Sequence, residues 1–459
     1  MRKLIALLAL AGAAASAADT PPVPPEALSG GDTTVFEDGR DAFSLASRNL
    51  PAERLTDFVI GNSFFKKNWV AAPASTTARD GLGPHFIARS CSGCHTLDGR
   101  GAPPAAPDEA PMALLIRLSL PGRGSPQAGV VPEPTYGDQL DTDAIPGVRP
   151  EGRVRIRYTE RPGQFADGTP YALREPHYEL YDLGYGPLAP GTLLSPRVAP
   201  QLIGMGLIEA IPEAAILAHA DPDDRDGDGI SGRPNPVWNA VTRRTGLGRF
   251  DWKANSAGVA HQVAGAFNGD MGITSPIFPT HPCTRAQADC RTASNGGTPE
   301  IDAADLRKVV FYTMQLAPPA FRHWDEPAVQ RGRAQFHALG CAACHTPEFR
   351  TGELKGFPEL SGQTIRPYSD FLLHDMGPGL ADGRPDFAAS GSEWKTPPLW
   401  GIGLFPAVNG HSNYLHDGRA RDLMEAVLWH GGEAEAAQRR VLALDAQARA
   451  DLIAFLRAL

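Results

Sequence analysis

The sequence is short of positive charge and of long apolar runs. Its 459 residues include 43 Lys and Arg against 52 Asp and Glu, which gives a formal net charge of −9. No run of Lys or Arg exceeds two residues, so we expect no nucleic-acid partner and no anionic membrane surface. A membrane-spanning helix needs about 20 apolar residues. Because no segment reaches that length, we predict no transmembrane segment.

The most apolar stretch, LIALLALAGAAASA, follows two basic residues at the N-terminus. A basic start, an apolar middle and small residues spaced as A-x-A are typical of a secretory signal peptide. We therefore predict that residues 1–18 form a signal peptide and that the mature protein is exported to the periplasm. An uncleaved N-terminal anchor is the alternative.

Cysteine is also scarce, at six residues. Four of the six form two copies of C-x-x-C-H, namely Cys91-Ser-Gly-Cys94-His95 and Cys341-Ala-Ala-Cys344-His345. This pattern attaches c-type haem: the two thiols form thioethers with the haem and the histidine binds the iron. Zinc half-sites or thioredoxin-like dithiols would not need the repeated histidine. The sequence therefore predicts two covalently bound haem c groups, with His95 and His345 as iron ligands.

The remaining cysteines, Cys283 and Cys290, lie in the polar stretch HPCTRAQADC. In an oxidising compartment this spacing favours a short-loop disulfide. A catalytic thiol pair is the alternative, but the six-residue gap and the lack of a neighbouring helix start argue against it.

Helical patterns frame the two haem motifs. We predict helices over 55–69, 303–316 and 445–459, and another that runs into the second motif from Ala328. Because a helix precedes each motif and another closes each unit, the predicted fold class is mainly α, with two cytochrome c-like haem domains. Their predicted bounds are 19–317 and 320–459.

The first domain is expected to be enlarged by a partly β insertion at about 130–195. Within it, RVRIRY at 153–158 alternates in strand fashion and is expected to pair with HYELYDLGYG at 177–186. The chain also holds 49 glycines and 43 prolines, about a fifth of its residues. This composition favours long ordered loops around modest helices over a large regular sheet.

Four stretches carry a family resemblance: GLGPHFIARSCSGCHTLDGRG, WKANSAGVAHQVAGAFNGDMGITSP, KTPPLWGIG and YLHDGRARDLMEAVLWHGGEA. In these the chain resembles the bacterial di-haem cytochrome c peroxidase and MauG superfamily, and within it the di-haem oxidoreductase (putative peroxidase) branch. The resemblance implies a peroxidase that reduces hydrogen peroxide or another small oxidant. It also implies a small soluble electron donor, a cytochrome c or a cupredoxin, and electron flow from the C-terminal to the N-terminal haem.

Two other functions remain open. A MauG-like oxidase would act on a protein or a small molecule through high-valent iron. A non-catalytic electron-transfer cytochrome would have both irons six-coordinate. An iron without a sixth ligand would separate the two enzymes from the carrier.

The resemblance also implies catalytic residues. In the peroxidases a tryptophan lies between the haems, a glutamine follows ten residues later, and a Glu-Met pair lies beside the reactive iron. The matching residues here are Trp252, Gln262 and the pair Asp270-Met271, with aspartate in place of glutamate. A carboxylate with an amide donor can move a proton between the two peroxide oxygens. The alternatives are a core tryptophan, a helix-surface glutamine and a turn aspartate.

The resemblance places the distal ligand of the second iron just after Glu425-Ala426-Val427, usually as methionine. In this chain His430 follows instead, and it is expected to bind opposite His345. Because imidazole in place of a thioether lowers the potential, this haem would be bis-histidine and of lower potential than in the peroxidases. Met424 and Met376 are the alternatives.

The first iron has no clear sixth ligand in the sequence. Met271, His261 and His85 are the candidates, whereas peroxide binding would require an open position. His374 and His416 also match family positions, and we expect them to form hydrogen bonds around the haems.

A loop with the pattern D-x-D-x-D-G begins at Asp224 and continues through Asp226 and Asp228. Alternating carboxylates can converge on Ca²⁺, and the glycine allows the sharp turn. The twelfth position, where a bidentate glutamate is usual, holds Asn235. The sequence predicts a calcium site here, with a solvated acidic turn as the alternative.

Overall fold

The computed structural model describes residues 23–76 and 79–459. The predicted signal peptide, residues 1–18, lies outside these ranges. Within them, no helix combines the length and the apolar character that crossing a membrane requires.

The α-helices of the described residues are short, none longer than 13 residues. They are α1 Leu55–Lys66, α2 Cys91–Cys94, α3 Met205–Glu209, α4 Glu213–Leu217, α5 Val259–Met271, α6 Ala288–Arg291, α7 Ala303–Gln315, α8 Pro327–Ala338, α9 Phe405–Asn409, α10 Leu423–Leu428, α11 Glu435–Leu442 and α12 Ala446–Ala458. The four helices predicted from the sequence correspond to α1, α7, α8 and α12 and are confirmed.

The strands are mostly shorter still. They are β1 His85–Phe86, β2 Leu114–Ser119, β3 Gln139–Leu140, β4 Asp143–Ala144, β5 Arg153–Gln164, β6 Pro170–Tyr181, β7 Leu193–Val198, β8 Pro236–Asn239, β9 Arg244–Leu247, β10 Phe349–Arg350, β11 Thr364–Ile365, β12 Leu373–Asp375 and β13 Glu393–Lys395. The largest sheet in the described residues has three strands, in the order β3-β2-β7. Long loops and small sheets are what the glycine and proline content predicted.

The mainly α fold class is wrong. Helix accounts for 29% of the structure and strand for 18%, so the class is mixed. The helices next to the haem motifs form as predicted, but the long loops between them pair with one another in two-residue and three-residue ladders such as β1–β4 and β12–β13. Ladders this short have no hydrophobic periodicity that a sequence could display.

The hairpin of β5 and β6 is the longest β structure, and it confirms the predicted pairing of 153–158 with the segment from 177. The two 12-residue strands are antiparallel, with Ile156 opposite Tyr178. The hairpin also contacts the C-terminal part of the chain. The Tyr178 hydroxyl donates to Asp417 at 3.0 Å, and the Arg174 guanidinium donates to the carbonyl of Gly418.

Two helix pairs cross in the same way, one near each haem motif. On α1, a Cβ added at Gly61 would lie 2.2 Å from the carbonyl oxygen of Lys308 on α7. On α8, a Cβ added at Gly332 would lie 2.0 Å from the carbonyl oxygen of Asp451 on α12. Both crossings therefore require a residue without a side chain, because each helix backbone rests directly on its partner.

Each crossing places an aromatic ring beside a motif histidine. Phe65, four residues after Gly61, has its ring centroid 6.3 Å from that of His95. Phe336, four residues after Gly332, lies 6.1 Å from His345. The two haem motifs are thus packed against equivalent helix pairs.

Replacing Gly332 by Ala is expected to lower the free energy of unfolding by about 1–3 kcal/mol, the usual cost of overpacking a tight contact. The measurement is the denaturant midpoint followed by circular dichroism. Gly246→Ala on β9 is the matched control, since its added Cβ would make an ordinary 3.4 Å contact with Ala257. Equal midpoints for the two variants would contradict the close crossing of α8 and α12.

Candidate haem sites

The two motif histidines are held in the same way. The Nδ1 of His95 lies 2.8 Å from the carbonyl oxygen of Pro200, and that of His345 lies 2.8 Å from the carbonyl oxygen of Tyr368. With Nδ1–H donating to a carbonyl, Nε2 is free to bind a metal. Burial lowers the pKa of both histidines to about 4, so both are neutral at physiological pH, the state that binds iron.

The motif cysteines are poor candidates for a reactive dithiol. Burial raises the pKa of Cys91 to about 12 and that of Cys341 to about 11. A thiolate nucleophile or a zinc thiolate needs a lowered pKa instead. The structure also places Cys283 and Cys290 at disulfide-bonding distance, with Cα atoms 5.8 Å apart, as predicted.

A cavity of about 520 Å³ adjoins the first motif and is bordered by Cys91, Cys94 and His95. Its volume is within the range of ligand cavities, about 300–1,000 Å³. The residues that the resemblance implied, Trp252, Gln262, Asp270 and Met271, also line it, as does the ligand candidate His261. The structure therefore brings together, in one cavity, residues that are up to about 180 positions apart in the sequence.

Five basic residues on strands and loops also line this cavity, and none of them was predicted from the sequence. They are Arg117, Arg197, Arg249, Arg384 and Lys395. Within the described ranges, the Nε of Arg117 is buried with no hydrogen-bond partner, and the buried amine of Lys395 has one acceptor, the Thr396 carbonyl at 3.5 Å. Such under-paired cations fit the two carboxylates of a haem. The signal available in the sequence was Arg117 itself, a lone charge within the apolar run LLIRLS.

Asp270 is positioned by the end of α5. It borders the cavity, and the amide of Gln139 donates to its Oδ1 at 3.2 Å. Burial raises the pKa of Asp270, and the guanidinium of Arg117 opposes that rise. Because Oδ1 is engaged with Gln139, Oδ2 is the oxygen left to hold or release a proton.

Trp252 is buried at the edge of the same cavity. Its indole N–H donates to the carbonyl of Val198 at 2.8 Å, and the Arg100 guanidinium lies 5.0 Å above its ring. Its own carbonyl accepts from the backbone N–H of Lys395 on β13. Trp252 thus joins the first motif's cavity to the β12–β13 ladder of the second half.

At the second motif, His430 follows α10 and repeats the arrangement of the motif histidines. Its Nδ1 lies 2.8 Å from the carbonyl oxygen of Ala426, which leaves Nε2 free. A positive charge on His430 would lower the pKa of His345, so His430 lies within electrostatic range of that histidine. The Nε2 atoms left free on both rings fit the predicted ligation of one iron by two imidazoles. His430, Met424 and Met376 are all half-buried.

His85 and His261 are less suited to bind the first iron. The Nε2 of His85 contacts the Arg149 carbonyl and the Tyr185 hydroxyl, at 2.9 and 3.0 Å, and His85 does not border the cavity. His261 does border it, but its Nδ1 accepts from the backbone of Ala240.

His374 and His416 differ in their surroundings. His374 donates to Asp370 and Glu433, at 2.8 and 2.7 Å, and lies 3.7 Å from the sulfur of Cys344. Burial alone would lower the pKa of His374, but these partners outweigh burial and raise it to about 12. His416 stacks on Trp394 with ring centroids 3.7 Å apart, and burial lowers its pKa to about 3. Its ring is therefore a neutral packing surface.

The aspartates of the acidic loop converge as a cation site requires. Carboxylate oxygens of Asp224, Asp226 and Asp228 lie within 4.8 Å of one another, and all three residues are exposed. Asn235 does not complete the loop, because its buried amide donates to the carbonyl of Lys253 at 2.8 Å. Calcium binding stays a prediction.

Comparison with known proteins identifies the family. A family profile described as di-haem oxidoreductase, putative peroxidase, matches residues 25–118 and 189–459. No curated protein and no solved structure gives a significant match. The matched segments cover most of the chain and include both C-x-x-C-H motifs, the cavity-lining helix α5 and His430. This protein belongs to the di-haem oxidoreductase family.

Proposed function

We propose that the protein is a periplasmic di-haem c-type oxidoreductase that reduces hydrogen peroxide at the His95 haem. Electrons would come from a small soluble cytochrome c or cupredoxin and pass through the His345 haem. The observation that carries the proposal is the asymmetry of the two sites: a cavity lined by Asp270 adjoins His95, whereas an imidazole, that of His430, lies within electrostatic range of His345. One site thus offers room for a substrate, and the other offers a second ligand.

The reaction is H₂O₂ + 2e⁻ + 2H⁺ → 2H₂O. When bound, the haem supplies an iron position for peroxide and the electrons that break the O–O bond. Asp270 would take the proton from one peroxide oxygen on Oδ2 and return it to the oxygen that leaves as water. Gln262 would hold the substrate through its amide.

The surrounding features support the same proposal. Trp252, buried at the cavity edge and bonded to β13, would carry electrons between the two haems. The equivalent helix crossings at Gly61 and Gly332 support two haem domains, 19–317 and 320–459. We also propose that the loop of Asp224, Asp226 and Asp228 binds Ca²⁺.

The first test is an optical and EPR titration of the purified protein from the diferric to the half-reduced state, with peroxide added at each stage. We expect a high-spin ferric signal that shifts with peroxide, because the His95 iron has an open position. Two low-spin haems that stay inert at every stage would instead favour an electron carrier. Turnover of peroxide with a reduced small donor would separate the peroxidase from a MauG-like oxidase.

Replacing His430 by Gly is expected to convert one low-spin haem to high spin, because the His345 iron loses its second imidazole. The measurement is the optical and EPR spectrum of the ferric protein. His177→Gly, at an exposed position of β6, is the control and should leave both signals as they are. An unchanged spectrum for His430→Gly would remove this residue as a ligand.

Replacing Asp270 by Asn is expected to slow peroxide reduction by roughly 10²-fold, the size of a general acid–base contribution. The amide keeps the shape of the side chain but cannot hold the transferred proton. Steady-state turnover is the measurement, and Asp143→Asn at an exposed position of β4 is the control. Full activity of Asp270→Asn would exclude the acid–base role.

A further inference from the structure

A pair of buried carboxyls lies directly behind Asp270. Asp141 and Glu151 are 4% and 3% exposed. The backbone N–H of Asp141 donates to Oε2 of Glu151 at 2.7 Å, and the backbone N–H of Glu151 donates to the carbonyl of Asp141 at 3.1 Å. The two residues are therefore fixed against each other, although ten positions separate them in the sequence.

Gln139 joins this pair to Asp270. Its amide nitrogen lies 3.1 Å from Oδ1 of Asp141 and 3.2 Å from Oδ1 of Asp270. Two carboxyl oxygens that flank one nitrogen are at most about 6 Å apart, a gap that one water molecule can bridge. The amide oxygen of Gln139 is buried and has no hydrogen-bond partner among the described residues, which leaves an acceptor for such a water or for a protonated carboxyl.

On its other side the pair leads towards the surface. Oε1 of Glu151 lies 3.4 Å from Nδ1 of His85, and Nε2 of His85 lies 3.0 Å from the Tyr185 hydroxyl. Tyr185 is half-buried, and the guanidinium of Arg149, an exposed side chain, lies 4.6 Å above its ring. His85, which does not border the cavity, is thus the middle of a line of titratable groups from solvent to Asp270.

The carboxyl pair is suited to store a proton. Burial raises the pKa of Asp141 and of Glu151, and their mutual repulsion raises that of Glu151 further. Asp270 and Asp138 also raise the pKa of Asp141, against the opposing charge of Arg117. Both shifts favour the protonated forms, so the pair is suited to hold a proton in this buried position.

Apart from His85, the residues of this line lie outside the part of the chain that carries the family pattern. Gln139, Asp141, Glu151 and Tyr185 all fall between 118 and 189, outside the segments that the family profile matches. The proposed peroxide reduction consumes two protons in a cavity walled by protein. The unmatched segment therefore places proton-holding groups where the reaction consumes protons.

We propose that Tyr185, His85, Glu151 and Asp141 form the route by which protons reach Asp270 from solvent. The inference rests on the proposed peroxide reduction at the His95 haem. After Asp270 gives up its proton, the carboxyl of Asp141 supplies another through a bridging water. Glu151 then reprotonates Asp141, and His85 reprotonates Glu151, with solvent protons entering at Tyr185. Each step moves one proton and no electron.

The test compares Asp141→Asn with the wild-type protein. We expect turnover with peroxide and a reduced donor to fall at least tenfold, with a larger solvent deuterium isotope effect, because proton transfer becomes rate-limiting. Formic acid, a small acid able to carry protons into the cavity, should restore part of the activity. The peroxide-induced shift of the high-spin EPR signal should be unchanged, since binding does not use the route.

Two further variants provide a milder change in the route and a control outside it. Tyr185→Phe removes only a hydroxyl at the half-buried end of the route, so it should fold normally and show a smaller effect of the same kind. Glu209→Gln is the control, because burial also raises the pKa of Glu209 but its carboxylate caps α5 at Val259. It should leave the isotope effect as in the wild type.

The outcomes distinguish a failure of the proton route from a failure of the proposed peroxide reduction. A wild-type protein that does not reduce peroxide, or a fully active Asp270→Asn, would overturn the proposed function itself. If both behave as expected, unchanged turnover in Asp141→Asn and Tyr185→Phe would overturn the route. Slower turnover without a changed isotope effect and without rescue by formic acid would also overturn it, since both residues would then be structural.

Discussion

The structure depends on one repeated interaction, the hydrogen bond from Nδ1 of a motif histidine to a backbone carbonyl. Pro200 supplies the carbonyl for His95 from 105 positions along the chain, and Tyr368 supplies the one for His345 from 23 positions away. Each bond sets the orientation of an imidazole and leaves Nε2 for iron. It also ties the short C-x-x-C-H segment to the surrounding chain, so that the helix crossings, the cavity and His430 are all arranged around a fixed ring.

The two sites then differ in what faces that ring. Near His345 the chain places another imidazole, with Nδ1 likewise held by a carbonyl. Near His95 it places a cavity with a carboxylate, an amide and two under-paired cations, Arg117 and Lys395. A site with two imidazoles favours electron transfer, and a site with space and a proton-holding group favours chemistry on a small molecule. The asymmetry, more than either motif, supports an enzyme.

The segment 119–188, outside the family match, contacts both halves of the molecule. Its hairpin contacts the loop before α10 through Arg174 and Tyr178, next to the helix that precedes His430. Its earlier strands bring Gln139 and Asp141 to the end of α5 beside Asp270. The segment 119–188, which the family profile does not match, therefore contacts the surroundings of both candidate haem sites.

The sequence by itself determined the features whose chemistry is local. The spacing of C-x-x-C-H predicted haem binding, helical periodicity predicted α1, α7, α8 and α12, and alternation at 153–158 predicted the hairpin. Only the tertiary structure decided that Gln139, Glu151 and His85 would lie in line with Asp270, and that the fold class would be mixed. Single polar residues and two-residue strands carry no periodic signal, and their partners lie up to 131 positions away. The physical reason is that these contacts exist only once the core has brought distant loops together.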